Sequence, residues 1–389
     1  MHGTDGNQPQ MLNDTRHRAI ALQALLIFAV VGSVYVLVTA TATNLTARGI
    51  PLGFGFLFTP ANFTISETLL PFRPQDPNWW AIVVGIVNTL FVSAVVIVAS
   101  SVLGLLVGIG RLSGNPLISG ATRVWVEIAR NTPVIILLIF VYALWWKVLP
   151  AVREAFNPFP GVHISLRGLV LPRLDISIPS ALLAALVGAA LALVAAHRLG
   201  VRRQTATGHR PAYLALTAGA AMVVLVVVAL ASGVSAVVEW PELRRTNFVG
   251  GMQLTPELTT ILVGLTIYTT GFIAEIVRGG ILAIGKGQWE AARALGLTEG
   301  SILRLVIVPQ TLRVILPPLT SQYVNVVKNS TLAIAVGYQD FMTIVSTIIN
   351  KSSHAVEGIA IILGVFLTLN LLLSGALNWV NRRMAIVER

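Results

Sequence analysis

Long apolar runs constrain this chain more than any other feature. Eight stretches, at about residues 19–40, 81–109, 132–149, 178–196, 212–232, 258–283, 313–336 and 356–380, are each close to the roughly 18–20 apolar residues that cross bilayer hydrocarbon as a helix. A lipid-exposed segment must satisfy its backbone groups internally, so spans this long are helices. Apolar residues make up 55% of the chain and charged residues only 11%, as a membrane protein requires. The sequence therefore predicts an all-α integral membrane protein with about eight transmembrane helices. Ala40-Thr41-Ala42 imitates a signal-peptidase site, but the apolar run before it exceeds the roughly 7–15 residues of a signal sequence. It is read as an uncleaved first span.

Charge sets the orientation. The net charge is +11, which in a soluble chain would suggest nucleic acid. Here the cations, Lys328 apart, lie in loops and at span ends, with no basic run interleaved with aromatics. On the side of the termini lie Arg111, Arg123, Arg130, Arg198, Arg202, Arg203, Arg210, Lys286, Arg293, Arg304, Arg382 and Arg383. The loops on the other side are longer and carry fewer, such as Arg48, Arg73, Arg153 and Lys351. The excess predicts that both termini are cytoplasmic, in a multi-pass protein. There is no cysteine, so no disulfide framework and no thiolate ligand or nucleophile. No histidine pair has metal-ligand spacing, and no catalytic, metal or cofactor residue is assigned. The chain reads as a non-enzyme.

One stretch breaks the apolar phase with an ordered polar pattern. Gly280-Ile-Leu-Ala-Ile-Gly285-Lys286 imitates a P-loop, but Gly287 stands where Ser or Thr must hold Mg²⁺, and no strand precedes it. Beyond it, 284–309 reads as a two-helix cytoplasmic hairpin. Glu290, Ala291 and Ala292 should form a slim, strongly helical turn able to enter a groove. Glu290 is expected near a helix N-terminus, where the dipole favours a carboxylate. Gly296 permits a left-handed reversal, and Pro309 is expected to end the second helix and turn the chain into the membrane.

Glu290-Ala291-Ala292, three residues, Gly296, nine residues, then Val306-x-Val308-Pro309 resembles the EAA motif of ATP-binding-cassette importer permeases, with Val306 and Val308 where that motif has Ile and Leu. Ala274-Glu275-Ile-Val-Arg278-Gly279-Gly280 and Gln310-x-x-Arg313-x-x-Leu316-Pro317-Pro318 are similar to the polar amino-acid (histidine, glutamine, glutamate, arginine and opine) class. So is Glu127-Ile-Ala-Arg130-Asn131-Thr132-Pro133, where Gly is usual at position 131. The resemblance covers 81–149 and 257–385, and the layout resembles the broad-range L-amino-acid permeases of Gram-negative bacteria. It implies a five-helix permease core in two parts, 81–149 and 257–389. A cytoplasmic tail (1–18), an extra span with a periplasmic loop (19–80) and an insertion with two further spans (150–256) would flank and interrupt it. It also implies that Glu290, Ala291, Ala292, Gly296 and Pro309 couple to a separate ATPase. The implied partners are two ABC ATPase subunits, a second permease subunit or a copy of this one, and a periplasmic amino-acid-binding protein. The implied place is the bacterial inner membrane, among membrane lipid; nucleic acid is not a partner.

Polar residues inside spans are the candidates for a substrate path. Gln322, Asn325 and Asn329 recur three and four apart on one helix face, with Lys328 beside them. Asn88 and Glu275 lie in other spans. Such groups face a water-filled path or bond neighbouring helices together, and Glu275 has Arg278 one turn away. The expected break at Pro317-Pro318 could expose backbone groups to the path. A secondary transporter driven by an ion gradient is the rival class, but the chain lacks the several buried carboxylates expected for ion coupling.

Overall fold

The computed structural model describes residues 15–47, 49, 51–177, 180–207, 213–231 and 235–384. The tail expected at 1–18 lies almost wholly outside them. So do the C-terminal end, Arg48, Arg210, and the outer ends of the spans expected at 178–196 and 212–232. Twelve α-helices are described: α1 (Thr15–Ala47), α2 (Asn78–Gly110), α3 (Pro116–Asn131), α4 (Val134–Val148), α5 (Ser180–Thr207), α6 (Tyr213–Ala231), α7 (Pro256–Leu282), α8 (Lys286–Ala294), α9 (Glu299–Ile302), α10 (Val308–Asn329), α11 (Phe341–Ser352) and α12 (Ala355–Met384).

Each of the eight expected spans falls on a helix, but they are not equivalent. Among the described residues, six helical stretches are long and apolar enough to cross a membrane: those of α1, α2, α5, α7, α10 and α12. A seventh is formed if α3 and α4 are one span, but the pair bends by 110° at Thr132-Pro133. Pro133 cannot donate a helical hydrogen bond and pushes Thr132 into extended backbone. The eighth, in α6, is apolar only over Ala215–Val228, shorter than a span.

The chain divides into two compact units, residues 1–138 with 261–389, and residues 139–260. In the first, α2 is held by close approach at glycines. A Cβ on Gly85 would lie 2.9 Å from the Phe341 backbone of α11, and one on Gly108 would lie 2.8 Å from the Ala274 carbonyl of α7. Small residues of this kind let membrane helices touch backbone to backbone. The Pro-rich segment before α2, expected as a loop, is a packed cap. A 3₁₀ turn at Phe54–Phe58 buries Phe56 with Ala61, Ala81, Ile82, Phe341 and Ile344. The Gly53 N–H donates to Glu357 Oε1 at 2.5 Å.

The second unit contains the insertion expected at 150–256, and it departs from an all-α reading. The two segments read as loops fold into short strands: β1 (Phe156–Phe159), β2 (Val162–Ser165), β3 (Gly168–Leu171), β4 (Arg173–Ser177), β5 (Ser235–Glu239), β6 (Glu242–Arg244), β7 (Asn247–Val249) and β8 (Met252–Leu254). They form an antiparallel sheet β1-β2-β3-β8 and two ribbons, β4-β5 and β6-β7. The β4-β5 ribbon runs from Arg173 opposite Glu239 to Ser177 opposite Ser235, so it closes the base of the α5–α6 pair. Strands of three to five residues are too short to show alternation in sequence.

Two proline expectations are corrected. Pro309 does not end a helix. It is the second residue of α10, directly after a π-helical turn that accommodates its missing N–H inside a continuous helical run. The helix runs on from α9 into α10 through that π-helical turn, at Leu303–Ile307, so the second hairpin helix and the span are continuous. Nor do Pro317 and Pro318 interrupt α10, which runs on through both to Asn329. They instead leave the carbonyls of Arg313 and Val314 without helical donors. The break comes later, as a 3₁₀ segment at Ser330–Ala335.

Candidate functional site

The hairpin between α7 and α10 has its own small core. Ala292, Ile302 and Ile307 are buried, with Ile284, Trp289, Leu297 and Val306 packed around them. Helix α8 ends in a Schellman motif: the Leu297 N–H donates to Ala292 O at 3.3 Å, and the Gly296 N–H to Arg293 O at 2.9 Å. Gly296 has φ +73, the left-handed conformation expected from the sequence. Arg293 Nε donates to Glu299 Oε1 at 3.0 Å across the turn, and Gln310 Nε2 to Gln288 Oε1 at 3.1 Å ties the hairpin to α10. Thr298 caps α9.

Two details differ from expectation. Helix α8 starts at Lys286, so Glu290 lies in its second turn, beyond the reach of a first-turn capping role. Glu290 and Ala291 are exposed, but Ala292 faces inward and belongs to the hairpin core. Gly296 is exposed and Pro309 half-buried. Leu295, at the tip, is 80% exposed, and Leu303 and Leu305 are exposed as well. A short element with its own packed core thus presents apolar side chains outward. Leu295 went unnoticed in the sequence because nothing in a lone leucine separates inside from outside.

The polar span residues fall into two groups. On α10, Gln322 and Asn329 are half-buried and Asn325 and Lys328 exposed, and no side-chain hydrogen bond holds them among the described residues. The buried side of the same helix, Ile315 and Leu319, packs on Ile273 and Val277 of α7. Tyr323 hydrogen-bonds Ser101 of α2 at 2.9 Å, and Asn381 of α12 donates to Thr320 at 3.3 Å. One face of α10 is therefore built into the bundle, and the polar face is left open.

Glu275 and Asn88 are held differently. The Glu275 carboxylate pairs with Arg111 at the end of α2, with Arg278 at 2.6 Å and with Arg130 of α3 at 4.0 Å. Arg130 also lies over the Phe272 ring. The clasp joins the two Glu-x-x-Arg segments noted in the sequence, 127–130 and 275–278. Arg111 was not anticipated as a partner, because only the fold brings it 164 positions back to Glu275. Asn88 is buried and donates to Glu67 O and Gln339 O, both at 3.0 Å, while its neighbour Thr89 accepts from the Phe341 N–H at 3.1 Å. These bonds fasten the 60s loop and the start of α11 onto α2. Asp340 caps α11 there, accepting from the Thr343 N–H and hydroxyl. Burial above all pushes its carboxyl up to about 6.

The decoy run has no strand-to-helix loop: Gly280 lies within α7, against Ile315 of α10. Comparison with known proteins gives the family. Residues 100–386 match the family described as binding-protein-dependent transport system inner membrane component. The general L-amino acid transport system permease protein AapQ of Rhizobium johnstonii is 41% identical over 100% of this chain and 98% of its own length. The putative amino-acid ABC transporter permease protein YhdX of Escherichia coli is 42% identical over 96% and 95%. The glutamate/glutamine/aspartate/asparagine transport system permease protein BztB of Rhodobacter capsulatus is 34% identical over 97% and 96%. The chain belongs to the family of inner-membrane components of binding-protein-dependent transport systems.

Proposed function

We propose that this chain is the translocating permease subunit of an ATP-driven importer, carrying polar L-amino acids into the cytoplasm across the bacterial inner membrane. Energy comes from two ABC ATPase subunits that dock on the 284–309 hairpin. A periplasmic amino-acid-binding protein delivers substrate, and a second permease subunit, homologous or identical, completes the path. Both termini are cytoplasmic. The substrate class follows the relatives' names, since AapQ, YhdX and BztB are all described as amino-acid permeases.

The observation that carries this reading is the hairpin: a rigid three-residue core joined directly to α7 and α10, with Glu290, Ala291 and Leu295 facing outward. A partner that grips the exposed side displaces the whole hairpin, because its core does not deform. That displacement reaches α10, and with it the polar face of Gln322, Asn325, Lys328 and Asn329, which lines the path for an amino-acid zwitterion. Asn88 and Glu275 support the path from within the fold.

The test is coexpression with the ATPase and binding protein, then reconstitution into vesicles. Leu295→Asp and Glu290→Lys should insert normally but lose both ATPase co-purification and ATP-dependent uptake. Gly296→Val, strained at φ +73 by about 1–2 kcal/mol, should weaken both. Uptake driven by an ion gradient with no ATPase subunit present would overturn the reading.

A further inference from the structure

At the end of α2 the chain turns through residues 111–115 into α3, and beside the turn lies an open-mouthed cavity of about 550 Å³. Its lining includes Arg111, Arg123 and Arg278, with Ser113, Ser119 and Gly120. Three guanidiniums and two hydroxyls line it, and no carboxylate does. The nearest acids are engaged beside it, Glu275 by Arg111, Arg130 and Arg278, and Glu127 by Arg123 at 3.8 Å. Four arginines against two glutamates leave the region cationic. A guanidinium carries five N–H donors, and Glu275 takes only some of those of Arg111 and Arg278. The first turn of α3, capped by Asn115, opens on the same cavity and adds the positive end of a helix. Burial, and then the charges of Arg278, Arg123 and Arg130, hold Arg111 below the usual arginine range. An anion in the cavity would relieve that crowding.

Helix α3 says where the anion comes from. It is strongly amphipathic, and Val126 and Ala129 hold it against Gly271 of α7. Leu117, Ile118, Val124, Trp125 and Ile128 are all exposed on one side. A helix bent by 110° from the apolar α4 lies near the membrane plane if α4 crosses it. An apolar face with a tryptophan, lying at the end of a span, is how a helix rests at the headgroup boundary. The cationic cavity then opens at the depth of lipid phosphates, with room for acyl chains along the apolar face.

We infer that the Arg111–Arg123–Arg278 cavity binds the phosphate of an anionic phospholipid whose acyl chains lie on the apolar face of α3. The bound lipid pins α3 to the bilayer while α7, joined to the same cluster through Glu275 and Arg278, continues into the hairpin.

The test uses the purified full chain in a neutral detergent, titrated calorimetrically with dihexanoylphosphatidylglycerol, dihexanoylphosphatidylcholine and inorganic phosphate. Phosphatidylglycerol should bind saturably, and the other two at least tenfold more weakly. Arg123→Gln removes one exposed cation without touching the Glu275 clasp and should weaken binding roughly tenfold. Gly120→Leu fills the cavity from a position whose added Cβ meets nothing within 4 Å, so the fold should stand while binding is lost. Arg304→Gln, an equal charge loss on the hairpin, should bind as the unaltered protein does. Equal affinity for phosphatidylcholine, or unchanged binding in both cavity variants, would overturn the proposal. Phosphate binding as tightly as the lipid would assign the site to a free anion instead. Loss of self-association in Gly120→Leu with lipid binding intact would assign the α3 face to a second copy.

Discussion

Two sets of polar residues lie within the apolar helices, and the fold treats them oppositely. Glu275 and Asn88 have every strong demand met by the chain itself, through three arginines in one case and two backbone carbonyls in the other. Gln322, Asn325, Lys328 and Asn329 have no side-chain hydrogen bond among the described residues and lie on an open face. In sequence the two sets look alike. In hydrocarbon an unmet polar group is costly, so the first set is explained by the fold and the second requires something outside this chain, whether water, substrate or a second subunit. Satisfaction separates polar residues that hold the bundle from those that the proposed function assigns to the path.

The clasp is where the two sets of polar residues separate most sharply. Glu275→Leu should destabilise the protein by about 2–3 kcal/mol, since it strands partly buried guanidiniums against one another. A thermal melt of the detergent-solubilised protein measures this, and an unchanged midpoint would place Glu275 with the open set. Asn88→Leu comes next. It leaves Glu67 O and Gln339 O without their donor, at a cost of about 2 kcal/mol. Limited proteolysis should then cut the 60s loop, which Asn88 fastens.

How much of this was legible beforehand follows from the range of each signal. The spans were readable because a helix in hydrocarbon needs a long local run, and the local run is in the sequence. The left-handed Gly296 was readable for the same reason, as a local conformational demand at a helix end. Arg111 and Glu275 were not, because their pairing depends on α2 and α7 meeting at Gly108, a long-range fact. The prolines misled: Pro309 and Pro317-Pro318 read as breaks by local rules, but tertiary packing of Ile315 and Leu319 keeps α10 helical. The strands at 156–177 and 235–254 escaped because three to five residues carry too little periodicity.

A smaller effect tests the cap that Asn88 secures. Asp340 is buried, with Oδ2 unpartnered, and burial first, then the charges of Glu67 and Asp340, push the nearby Tyr338 hydroxyl up. Its carboxyl is raised from 3.8 to about 6, so the native state holds the proton more tightly than the unfolded chain. The sign follows: its contribution to stability is full below about pH 4 and is lost as pH rises through about 6. Asp340→Asn keeps an acceptor for the Thr343 N–H and should flatten that part of the melting-temperature profile between pH 4 and 7. An identical slope in the variant would remove Asp340 as its source.

The smallest effect on stability is expected where the functional effect is large. Asn325 is exposed and unbonded, so Asn325→Leu should shift the melting midpoint by less than the equivalent of about 0.5 kcal/mol. The same substitution turns a polar face apolar where a zwitterion would pass, and ATP-driven uptake in vesicles should fall at least tenfold, with ATPase co-purification unchanged. Lys328→Met should behave likewise, removing the one cation of the face. The pair of readouts matters more than either alone. A stability loss as large as that of Glu275→Leu would mean that the α10 face is satisfied within the fold after all. Normal uptake with normal stability would move the path away from α10. Reduced uptake at full stability is the combination that a face left open for transport requires.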